Sequence, residues 1–354
     1  MSRLHTKPLT LACCTLLAGA VGLSACTQSS APPTGETVKV TSATSSAAMA
    51  STAAVPVASA ADIHSNPFYN ASTLPMLAPD FAKIKDADYQ PAIEEGMRQQ
   101  MAEIGKIANN PDPPTFDNTL AAMEKSGQML NRTMMTFSLV TGANTDPALQ
   151  KVQVIEAPKL AAHQDAIYLN PKLFARVQAV YDQRDKLKLD PESQRLIDYD
   201  YKEFVHNGAK LSDADKAKLK QFNEQESTLT TQFQNKLLAA AKAGALVVDD
   251  KTKLAGLSDS DLAAAAQSAN DRKQGGKWVL TLQNTTQQPA LASLTDRDTR
   301  QQLFNASWTR AEKGDANDTR DTITQIAYIR AQKAKLLGFD NYAAWKLEDQ
   351  MAKT

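Results

Sequence analysis

Four histidines, three cysteines and a scatter of carboxylates are what this chain offers for chemistry. A catalytic transition-metal site needs three imidazole, thiolate or carboxylate donors, and a metal-binding helix sets two histidines four residues apart. His5, His64, His163 and His206 are far apart, and none has a second histidine four positions on. Glu203 precedes His206 by three residues and so shares its helical face. A lone Glu-x-x-His serves a two-metal site only with matching ligands from other helices, and no second copy occurs. His206 therefore reads as a helix-end histidine near Gly208, where a cation suits the helix dipole.

The carboxylate pairs Glu94-Glu95 and Asp249-Asp250 are adjacent in sequence. Neighbours on a helix point in different directions, so neither pair converges on one proton. Met97, Met101, Met123, Met129, Met134 and Met135 fall mostly on helix faces, where filling a core is the expected role of a thioether. No His-Glu-x-x-His, Gly-x-Ser-x-Gly, glycine-rich phosphate loop or cysteine pair occurs. The residues alone thus assign no catalytic residue and no metal ligand.

The cysteines point to export instead. Arg3 and Lys7 precede an uncharged, mostly apolar run over residues 9–22, and Leu23-Ser24-Ala25-Cys26 follows in the pattern of a lipoprotein signal. The run falls short of the ~20 apolar residues that span a bilayer. The expectation is a signal peptide over residues 1–25, with Cys26 as the lipidated first residue of the mature chain. Cys13 and Cys14 would leave with the signal, so no disulfide is expected. Residues 26–65 are rich in Ser, Thr, Ala and Pro and read as a flexible tether. This predicts a periplasm-facing membrane lipoprotein, on the outer rather than the inner membrane. In the remaining body, residues 66–354, stability must come from core packing. Lys and Arg total 39, as do Asp and Glu, so no net field draws in nucleic acid.

That body reads as helical almost throughout. Ile93, Met97, Met101, Ile104 and Ile107 make one apolar stripe, broken at Asn109-Asn110-Pro111-Asp112-Pro113-Pro114. Phe116, Leu120, Met123, Leu130, Met134 and Phe137 make a second, closing near Gly142. Asp146-Pro147, Asn170-Pro171 and Asp190-Pro191 each pair a capping side chain with proline at the first helical position. Ser212-x-x-Asp215 opens the clearest helix, with Leu219, Phe222, Leu229, Phe233 and Leu237 on one face until Gly244. Residues 245–248 and 277–282 are short β-like runs flanking a small helix capped by Ser258, and they predict a two-stranded ribbon. Helix is expected to resume after Pro289, and residues 318–337 carry another apolar stripe that ends at Gly338. A last segment opens at Asp340-Asn341 and carries Tyr342, Trp345, Leu347 and Met351. It reads as a helix of about 14 residues whose stability needs a packing partner further along a longer polypeptide.

Long ordered stretches carry a resemblance. Asn66-Pro67-Phe68, Ser72-Thr73-Leu74-Pro75 and Pro79-Asp80-Phe81-Ala82-Lys83-Ile84-Lys85 lead into Tyr89-Gln90-Pro91-Ala92-Ile93-Glu94-Glu95-Gly96-Met97. Phe204-Val205-His206-Asn207-Gly208-Ala209-Lys210-Leu211-Ser212 follows, then Gln283-Asn284-Thr285-Thr286-Gln287-Gln288-Pro289-Ala290-Leu291. Leu337-Gly338-Phe339-Asp340-Asn341-Tyr342-Ala343-Ala344-Trp345 completes the series. Together they resemble the N-terminal half of bacterial peptidyl-dipeptidases, or dipeptidyl carboxypeptidases, of the thimet oligopeptidase and oligopeptidase A family of zinc metallopeptidases.

The resemblance implies a mostly α fold, the N-terminal part of a helical clamshell with a deep channel, plus the one small ribbon. It implies hydrolysis of short peptides with release of C-terminal dipeptides, a zinc cofactor and a monomer when complete. In the family the zinc is held by a His-Glu-x-x-His helix and a glutamate on a following helix. That motif does not occur here, so no family site residue carries over, zinc is not expected to bind this chain, and the chain alone is expected to be inactive. The competing expectation is a non-catalytic helical lipoprotein that binds peptides or serves a structural role.

Overall fold

Polar side chains at helix starts decide where most elements begin. The computed structural model describes residues 62–353. Asp146 accepts from the Leu149 N–H at 2.9 Å and starts α4 (Pro147–Tyr168). Asn170 accepts from the Lys172 and Leu173 N–H groups and starts α5 (Pro171–Asp182). Asp190 caps α6 (Pro191–His206) through the Ser193 N–H, and Ser212 caps α7 (Asp213–Ala243) through the Asp215 N–H. Each side-chain oxygen satisfies an N–H that the first helical turn leaves unpaired. Cys13, Cys14, Cys26 and His5 lie outside the described residues.

Upstream of these, α1 (Asp86–Ala108) ends where the proline-rich breaker begins. It packs on α4, on α5 and on α3 (Gln128–Ala143). Gly96 permits the contact with α3, because a Cβ there would lie 2.8 Å from the Leu130 backbone. The second predicted stripe is not one helix. Gly127 adopts φ 70°, a left-handed conformation open mainly to glycine, and it separates α3 from the short α2 (Leu120–Glu124). The main core gathers Ile104, Leu120, Leu173, Val177, Ile197 and Phe204 from α1, α2, α5 and α6.

Past α7 the chain forms the ribbon. β1 (Leu246–Val248) pairs antiparallel with β2 (Trp278–Leu280), with Val247 opposite Val279. Between them runs α8 (Asp259–Asp271), capped by Ser258. A second core of Val248, Leu254, Ala265, Leu280, Leu282 and Leu303 roots the ribbon against helices, as so small a sheet requires. The next helix, α9 (Asn284–Ser293), begins before Pro289 and contains it. α10 (Arg297–Trp308) and α11 (Arg320–Leu336) follow. Over the described residues the fold is mostly α with one two-stranded sheet.

Two further expectations change in the structure. The last segment is a six-residue helix, α12 (Tyr342–Leu347), capped by Asn341, and turns follow it. Its Trp345 is buried within this chain, whereas Met351 is wholly exposed. α7 is also less covered than its stripe predicts. Leu219 and Ala240 are its buried residues, and Phe222, Leu229, Phe233 and Leu237 are only half-buried. Of the six methionines expected to fill a core, Met129 is buried, Met123 packs beside the main core, Met97, Met101 and Met134 are half-buried, and Met135 is exposed on α3.

Candidate functional site

The second half of α6 brings titratable groups together. Ile197 and Phe204 belong to the core, and Asp200 stands between them at helical spacing, itself only 7% exposed. Its Oδ2 has no hydrogen-bond partner among the described residues. Burial, with the charges of Glu124 and Glu203 nearby, raises its pKa to about 8. A buried carboxyl without a cationic partner keeps its proton, because the charged form loses its hydration. Glu203 is also pushed up, chiefly by burial. The sequence carries a signal for Asp200, since an acid at that position lies on the apolar stripe of its own helix.

His206 ends α6 and meets the last segment. Its Nδ1 lies 2.8 Å from Glu348 Oε2, and its ring stacks on Trp345 at 4.6 Å and 15°. The indole N–H of Trp345 donates to the His206 carbonyl at 3.3 Å, and Phe339 meets the ring edge-on. From α11, Lys333 lies over Trp345 and Arg330 over Tyr342, and both cations reach Glu226 of α7 at 3.2 and 2.7 Å. Burial works to raise the Glu226 carboxyl, but Lys333 and Arg330 outweigh it and hold the group below its ordinary value. This cluster locks α6, α7, α11 and α12 together.

The other histidines lie elsewhere. His163 is buried on α4 with its Nε2 2.7 Å from Gln100 Oε1, and burial pushes its pKa down. His64 lies in a short 3-10 turn. Glu94 pairs with Lys159, while Glu95 pairs with Arg98 at 2.7 Å, so the adjacent acids do face different partners. Asp250 accepts from the Thr252 N–H and caps the 3-10 turn Lys251–Leu254.

Zinc does not fit these donors. Among the described residues no three His, Cys, Asp or Glu side chains are grouped to hold a metal ion. The His163 ring nitrogen faces an amide oxygen, and His206 is committed to Glu348 and Trp345. The contacts of the α6 cluster, a carboxylate on an imidazole, an indole stacked on that ring and two cations on Glu226, brace these helices against one another. An open groove of about 420 Å³ lies between α7 and α11, lined by Gln221, Glu224, Gln225, Thr228, Gln325 and Ile329.

Comparison with known proteins places these helices. The model of peptidase family M3 matches residues 290–354. The chain is 53% identical over 289 residues to a dipeptidyl carboxypeptidase of Escherichia coli strain K12, covering 82% of this chain and 42% of that protein. It is 52% identical to the Salmonella typhimurium dipeptidyl carboxypeptidase, with the same shares. Oligopeptidase A of Haemophilus influenzae is 25% identical over 293 residues, again 82% of this chain and 42% of that protein. The chain therefore spans about two-fifths of the length of the relatives it matches.

These relatives also correct the expected location. They are cytoplasmic enzymes, which overturns the placement as a periplasm-facing outer-membrane lipoprotein. That placement rested on a four-residue pattern behind a short apolar run, far less sequence than the 289 matched residues.

Proposed function

The chain belongs to peptidase family M3, a family of zinc metallopeptidases, and on that premise we propose that it is part of the helical framework of a peptidyl-dipeptidase. The complete enzyme would hydrolyse short peptides and release C-terminal dipeptides. This part would form channel wall and brace, and the zinc and its activating glutamate would come from residues the chain does not contain. The similarity to dipeptidyl carboxypeptidases carries the reading. The lack of a His-Glu-x-x-His sequence anywhere in the 354 residues limits what the chain does unaided, because a catalytic zinc needs three protein ligands and an open position for water.

The test is direct. The purified 354-residue chain is assayed for zinc by elemental analysis and for dipeptide release from N-terminally blocked short peptides by mass spectrometry. No stoichiometric zinc and no release are expected. About one zinc per chain, the content of a catalytic site, together with chelator-sensitive release of dipeptides, would overturn the reading.

A further inference from the structure

We propose that Asp200 of α6 is a pH-sensitive latch that keeps the five-residue helix α2 docked while protonated and releases it when ionised. The latch is independent of the framework reading above.

What surrounds the carboxyl makes it a switch. Asp200 is buried, and its Oδ2 lacks a hydrogen-bond partner among the described residues. The charges that act on it are Glu124, at the end of α2, and Glu203, three residues further along α6. Both are acids. α5 also packs on α6, but its Lys172 reaches Asn109, its Arg176 donates to the Asn110 and Asp112 carbonyls and to Asn118, and its Tyr181 stacks on Tyr201. His206, Lys346 and Asp349 act on Glu203 instead. Once ionised, a buried carboxylate with no cation beside it needs water.

Of the elements around Asp200, α2 is the one that can yield. Glu203 shares a helix with Asp200 and cannot move off without unfolding it, whereas Glu124 leaves with α2. The only residue α2 buries is Leu120, and so short a helix has little stability of its own. α6 has 16 residues and sets Ile197 and Phe204 in the main core. The chain is pinned on both sides of α2. Arg176 holds Asn118 at 2.9 Å, and the Gly127 N–H donates to Glu103 Oε2 at 2.7 Å. Residues 119–126 can therefore lift between two fixed points and admit water to Asp200, while α5 and α6 keep their packing.

The direction of the response follows from the two protonation states. Burial and the two acids raise the Asp200 carboxyl from 3.8 to about 8. Below the first value the docked and released forms both hold the proton, and docking is at its strongest. Between the two values only the docked form holds it, so release becomes easier by about tenfold per pH unit. Above about 8 both forms are ionised and the effect levels off.

The test follows hydrogen exchange of the 354-residue chain by mass spectrometry from pH 5 to 9.5, with rates corrected for the intrinsic pH dependence of amide exchange. Protection over residues 119–126 should fall by about tenfold per pH unit and level off near pH 8, while α5 keeps its protection. Asp200→Asn should remove the pH dependence. Glu124→Gln changes an exposed side chain, and loss of its charge should move the levelling point to lower pH. Protection over residues 119–126 that ignores pH overturns the latch, as does a decline that persists in Asp200→Asn. An equal decline in α5 also overturns it, because the whole fold would then be loosening. If Asp200→Asn does not fold, Glu124→Gln decides: an unmoved levelling point overturns the proposal, and a lowered one supports it.

Discussion

Asp200 is an acid placed where its helix should carry a hydrophobic residue, and pH should reveal it. Its carboxyl titrates at 3.8 when unperturbed and at about 8 in the fold. Below the first value both folded and unfolded chains hold the proton, and its contribution to stability is complete. Between the two values only the folded chain holds it, so stability falls as pH rises, by about 1.4 kcal/mol per pH unit. Above about 8 the contribution is lost. Asp200→Asn keeps the shape and removes the ionisation. Chemical denaturation between pH 5 and 8.5 should show a shallower decline for the variant, and parallel curves would count against a proton held at this site. Trp345 makes a second residue-scale case. Its ring stacks on His206 and its N–H is bonded to the same residue's carbonyl, and an aromatic ring cut to alanine in a core costs up to roughly 5 kcal/mol. At this edge of the fold Trp345→Ala should free α12 alone. Hydrogen exchange should then speed up over residues 340–350 while the amides of α5 stay protected, and equal losses in both would refute the local effect.

At the scale of elements, local signals are legible in the sequence and distant contacts are not. Asp146, Asn170, Asp190, Ser212 and Ser258 cap the helices their sequence neighbours predict, because capping is settled within about four residues. The ribbon was legible for a similar reason, from two β-like runs bounded by turn residues. The α6 cluster was not. His206 and Trp345 are brought together over a separation of 139 residues, and no local pattern encodes that contact. The apolar stripe continues through Gly127, so periodicity alone gives one helix, although the positive φ of Gly127 ends the alignment of the two helices. Gly96 has a comparable importance for packing. A methyl group there would meet the Leu130 backbone at 2.8 Å, and backbone cannot move aside as a flexible side chain can. Gly96→Ala should gain a little helix propensity yet destabilise on balance, by about 1–3 kcal/mol from overpacking. A denaturation midpoint equal to or above that of the parent would show that α1 and α3 can separate without cost.

For the molecule as a whole, the distribution of burial predicts an uneven stability. Leu120, Leu173, Val177 and Ile197 are completely buried, and Phe204 is 1% exposed. These residues tie α1, α2, α5 and α6 into one core. α7 is the longest helix among the described residues, yet it fully buries only Leu219 and Ala240, and the outer faces of α10 and α11 expose aromatic rings. Helices draw most of their stability from packing an apolar face, since nucleation is unfavourable and propagation nearly neutral. Regions with few buried contacts open first. The amides of α5 and α6 should therefore exchange slowest, and those of α10, α11 and the second half of α7 faster, by about tenfold for every 1.4 kcal/mol of lower local stability. On heating, helical circular dichroism should fall over a broad range, with binding of a hydrophobic dye rising before the core amides lose protection. Joining the chain in one polypeptide to the portion of the Escherichia coli dipeptidyl carboxypeptidase that lies C-terminal to the matched segment should sharpen the transition and slow exchange on α10 and α11 more than on α5. A single sharp melt of the 354-residue chain, with uniform protection across both groups of helices, would mean that the exposed faces need no partner.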